Sequence, residues 1–176
     1  MQILPRPRIR VSSGSGGLFY SRAASGSIPA QRLSIQRSST MFGDVNFLAV
    51  GIAAVLAFAL GALWYSAVLF AKPWMAGLGY TEERFKEMQA GMGLTYAISF
   101  LCWLVMATVL ASIAPHFGDG VGATLHMGLM LWLGFGATVG LTNNRFSGTP
   151  IVVWIIDAGY QAVSVAIMAV VLGLWT

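Results

Sequence analysis

The chain has 176 residues, 57% of them hydrophobic and only 9% charged, with a formal net charge of +4. A soluble domain carries about 25% charged residues, so the composition excludes an ordinary soluble domain and points to an integral membrane protein. The charge gives no argument for nucleic-acid binding, because it is uneven: residues 1–40 hold six arginines and no acidic residue, while the rest holds four basic side chains against six acidic ones.

Residues 1–40 are rich in Arg, Ser, Gly and Pro. No apolar run here is long enough for the core of a secretory signal. The composition suits a disordered leader, either a mitochondrial or plastid transit peptide or an upstream extension of the reading frame with Met41 as the true start. Both place the working protein at 41–176. The Ser12–Gly17 stretch is a flexible segment and not a phosphate loop, since no GK[ST] follows it.

A first membrane span is expected over about 45–70. Ala49, Ala53, Ala57 and Gly61 recur at every fourth position, a small-residue stripe against which another helix can pack closely. Trp64, Tyr65 and Trp74 lie at its far end, where an interfacial aromatic belt would sit. Residues 71–92 form the longest and most charged loop. Within it Thr81 can cap a short helix that begins with Glu82 and Glu83.

A second span, about 93–114, stops at Pro115 and holds the lone cysteine, Cys102, as a packing residue. A third span, about 121–141, contains Gly136 and Gly140 at the spacing of a close-packing pair. Residues 142–148 (TNNRFSG) read as a connector. Thr149 and Pro150 then form an N-cap and first-turn pair for a fourth span, about 150–175. Lys72, Arg84, Lys86 and Arg145 all fall in loops on one side. By the positive-inside rule that side is cytoplasmic, and both termini of the 41–176 domain face the other way.

Asp157 is the one carboxylate in the fourth span, with Tyr160, Gln161 and Ser164 at i+3, i+4 and i+7 on the same face. A charge in hydrocarbon costs about 3 kcal/mol or more, so it normally faces protein or water. At similar depth lie Tyr65 and Ser66 of the first span, Tyr96 and Ser99 of the second, and Thr138 of the third. Together these define a candidate polar layer, which either binds a small polar or cationic ligand or only satisfies the carboxylate. His116 and His126 have no neighbouring ligand cluster, so no metal or cofactor is expected. No nucleophile–base arrangement points to an enzyme.

The run from Val45 through GALWYS and KPWM, the LTNNRFSGTP segment and the AGYQAVS element of the fourth span resemble a family of small bacterial integral membrane proteins known as domain of unknown function 1761. The resemblance spans about 45–175 and implies a four-helix membrane protein with no assigned activity. The expectation is therefore an all-α, four-helix transmembrane bundle in the lipid bilayer, homo-oligomeric through its small-residue faces. Its place is a bacterial inner membrane, or a mitochondrial one if the leader is a transit peptide. Its role is that of a carrier or ligand-binding protein or, alternatively, of a non-catalytic interaction or assembly protein.

Overall fold

A computed structural model describes residues 45–175; the leader and its alternatives lie outside them. All regular structure among the described residues is helical. Four helices are long and apolar enough to cross a bilayer, Phe47–Trp64, Gly93–His116, Gly120–Ser147 and Ile151–Gly173. That set suggests a membrane protein.

Helix α1 (Phe47–Trp64) starts at Asn46, whose side chain accepts from the backbone N–H groups of Leu48 and Ala49 at 3.1 Å each. It ends earlier than expected. Residues 65–70 are as apolar as a span requires, yet the chain turns there. Phe70 N donates to Trp64 O at 3.1 Å, and the Trp64 and Phe70 rings pack at a tilt of 38° with centroids 4.7 Å apart. Helices α2 (Ala71–Leu78) and α3 (Glu82–Ala90) follow. Thr81 Oγ1 caps α3 by accepting from Arg84 N at 3.2 Å.

Helix α4 (Gly93–Ile113) runs into a 3-10 turn (Ala114–His116). The third span is α5 (Gly120–Leu131), a π-helical turn (Trp132–Ala137) and α6 (Thr138–Ser147). Its last six residues correct the sequence reading, because TNNRFS is helical and not a connector. Thr142 Oγ1 folds back onto Thr138 O at 3.0 Å, which satisfies its hydroxyl within the helix. The real stop is Gly148 at φ 68°, a left-handed cap that glycine adopts without strain. Thr149 does not cap α7 (Ile151–Gly173) either; its hydroxyl lies 2.8 Å from Ser147 Oγ.

Helix α7 is the hub, packing against α1, α2 and α5, while α4 lies on α1. The core is built largely of alanine: Ala49, Ala53, Ala54 and Ala57 are fully buried, together with Met127 and Met168. Small side chains let backbones approach, which is where dispersion contacts accumulate when lipid removes the usual hydrophobic drive. The Ala49–Ala53–Ala57 stripe thus packs within the chain's own core. Large apolar side chains such as Val68, Phe135 and Leu94 point outward.

Candidate functional site

Asp157 lies six residues into α7, about 9 Å from its start at 1.5 Å per residue. Two side chains from elsewhere in the chain converge on it. Tyr65, just past the end of α1, donates its hydroxyl to Asp157 Oδ1 at 2.7 Å. Trp74, on α2, donates Nε1–H to the same oxygen at 2.9 Å. The two rings meet edge-on, 5.4 Å between centroids. Hydrogen bonds to an ionised carboxylate are about twice as strong as neutral ones. Asp157 therefore ties the α1–α2 segment to α7.

One turn along, Tyr160 anchors an aromatic cluster. Its ring lies edge-on to Tyr65 at 5.4 Å and to Trp103 of α4 at 5.4 Å. Its hydroxyl donates to Ala57 O at 3.1 Å, a backbone carbonyl of α1. That approach needs glycine at position 61, where a Cβ would come within 2.7 Å of the hydroxyl oxygen. Gly61 is therefore small for the sake of a tyrosine and not of a helix backbone. Trp64 also turns inward, its Nε1–H donating to Ile156 O at 3.1 Å. The aromatics expected in an interfacial belt thus spend their polar groups on α7.

The remaining members of the expected layer sit elsewhere. Ser66 bonds to Leu63 O at 2.7 Å and Thr138 to Gly134 O at 2.6 Å, each within its own segment. Tyr96 is half exposed and meets Phe58 edge-on, and Ser99 is partly buried on α4 with no bond to Asp157. Gln161 does lie beside Asp157, and both line a pocket of about 350 Å³ between the α6 end, the α7 start and Leu78 of α2. Gly136 and Gly140 are part of its lining. Side chains reach against them: a Cβ at Gly136 would stand 3.4 Å from Gln161 Oε1, and one at Gly140 would stand 3.4 Å from Trp154 Nε1.

Three contributors lie outside the polar layer expected from the sequence. Trp74 looked interfacial. Asn144 looked like part of a loop, but it is 8% exposed and lines the pocket with its Oδ1 buried and without a partner. Trp154 lines it too, and its buried Nε1–H also lacks one. An unsatisfied buried polar atom costs about 1–3 kcal/mol. Both atoms have almost no accessible surface, so they lie within the pocket wall. The third span also contains a π-helical turn, a feature that recurs at functional sites. Among the described residues no three His, Cys, Asp or Glu side chains gather as a metal site would require.

Comparison with the curated proteins and with the solved structures found no match. The family model described as "Protein of unknown function (DUF1761)" matches residues 48–173, which takes in the four long helices except Phe47 and every residue of the Asp157 pocket. The chain belongs to this family of proteins of unknown function.

Proposed function

We propose that the chain is a four-span membrane protein whose Asp157 pocket binds a small polar ligand, as a carrier or a ligand-binding component. The observation that carries this reading is the use of the carboxylate. Tyr65 and Trp74 both hold Oδ1, and Oδ2 accepts no hydrogen bond among the described residues, although the side chain lines a pocket. A carboxylate kept only for structure would be expected to use both oxygens. Loop charge supports a cytoplasmic position for the pocket end, which carries Lys72, Arg84, Lys86 and Arg145. A bacterial inner membrane fits this topology.

The same two hydrogen bonds favour a second reading, in which Asp157 is only a tie between α1–α2 and α7 in an assembly protein. Thermal unfolding of the full chain in detergent separates the two. It is followed for the wild type and Asp157→Asn against small cations, amino acids, sugars and anions. A ligand that binds only the folded form stabilises it by mass action. At least one class is expected to stabilise the wild type and to lose its effect in the variant. If every class leaves the two proteins alike, the tie reading replaces the pocket reading.

A further inference from the structure

We propose that the group bound at the Asp157 pocket is a primary ammonium carried by a small molecule or by a lipid headgroup. This rests on the pocket reading above and follows from the charges and open valences of the lining.

The charge comes first. Asp157 is the only ionisable side chain in the lining; no lysine, arginine or histidine is among those residues. A carboxylate at the edge of hydrocarbon favours a cation and repels an anion.

Hydrogen-bond valence narrows the cation. Asp157 Oδ1 is filled by two donors, so its open valence is that of an acceptor, Oδ2. Ser147 Oγ donates to Asn144 O at 3.0 Å, which uses its only proton. The 2.8 Å contact between Ser147 and Thr149 must then be donated by Thr149. Thr149 Oγ1 is thereby left as an acceptor as well. Two lining groups, Asp157 and Thr149, therefore keep open acceptor oxygens and have no proton to give. A ligand with hydrogen-bond donors completes them, and a cationic one also answers the carboxylate's charge.

A quaternary ammonium has no N–H to give and is held instead by aromatic faces. Trp154 is the only aromatic in this lining; Tyr65 and Trp74 approach the carboxylate without lining the pocket. A bare metal ion would leave most of the 350 Å³ unfilled and would bring no hydrogen-bond donor. A primary ammonium meets both demands: positive charge for the carboxylate and N–H donors for the two oxygens.

The test is thermal unfolding of the full chain in lipid-free non-ionic detergent at constant ionic strength, titrated with ethanolamine, choline, ethylene glycol, acetate or sodium chloride. Ethanolamine is expected to stabilise saturably, with apparent affinity about tenfold tighter than choline, as loss of a charge-assisted hydrogen bond implies. The effect is expected to vanish in Asp157→Asn and to weaken in Thr149→Val. Binding is also read by calorimetry on Thr149→Val, whose substitution keeps side-chain shape.

Choline acting as well as ethanolamine, or sodium, glycol or acetate acting alone, overturns the ammonium while leaving a ligand pocket. No effect from any compound overturns the pocket itself. Nanodiscs of phosphatidylethanolamine and phosphatidylcholine then identify the source. Stabilisation by the first lipid, with no further gain from free ethanolamine, assigns the headgroup. An ethanolamine effect that is equal in both lipids assigns a free amine.

Discussion

Replacing Gly173 with alanine is expected to lower stability by about 2 kcal/mol, because the added methyl meets backbone and not a side chain that can rotate away. A Cβ at Gly173 would come 2.6 Å from Val121 Cα, 2.9 Å from Val121 N and 3.1 Å from Gly120 C. The end of α7 and the start of α5 would have to separate. Overpacking of this kind costs about 1–3 kcal/mol, more than the gain of up to about 1 kcal/mol from alanine's helix propensity. Gly51→Ala is the control, since a Cβ there meets nothing within 4 Å. It is expected to be neutral or slightly stabilising. Helicity followed through denaturation in mixed detergent micelles checks both. Equal midpoints for the two variants would mean that the α5–α7 crossing is looser than described.

Asp157→Leu is expected to cost about 2 kcal/mol, and Asp157→Asn to stay within about 1 kcal/mol of the wild type. Leucine leaves the Tyr65 hydroxyl and the Trp74 N–H without their acceptor. Each orphaned donor costs about 1–3 kcal/mol, reduced where the unfolded chain in a membrane finds other partners. Against this stands the relief of removing a charge from hydrocarbon, which asparagine also provides while keeping an acceptor oxygen. The orphaned donors therefore decide the sign for leucine. In a Tyr65→Phe/Trp74→Phe background the donors are gone, and Asp157→Leu is expected to be near neutral; the shortfall from additivity measures the tie. A full-sized loss in that background would place the carboxylate's contribution elsewhere.

Much of this arrangement was legible in particular residues, and the misses share a cause. Four apolar runs give four long helices, because composition alone decides whether a helix tolerates lipid. Asp157 stood out as a charge within such a run, and Tyr65 came with it by depth. Trp74 did not, since an indole beside a helix end reads the same whether its N–H meets water or a carboxylate. Asn144 was hidden by composition: TNNRFS is polar enough for a loop, and only the left-handed Gly148 after it marks where the helix stops. Gly61 and Gly140 fitted a helix-packing spacing, yet each makes room for the polar end of one α7 side chain, Tyr160 or Trp154. Spacing along one helix shows that a position must be small. It does not show what occupies the space.

The most direct test of an open carboxylate at the pocket is chemical. The full chain in detergent is treated with a small water-soluble carbodiimide and an amine nucleophile, and modified residues are located by peptide mass spectrometry. Glu82, Glu83, Glu87 and Asp119 are exposed and serve as internal standards. Asp157 is expected to be modified more slowly than these but measurably, and to be protected by whichever compound stabilises the wild type. Full modification of the four standards with Asp157 untouched under every condition would contradict the pocket and leave the carboxylate as a sealed structural tie.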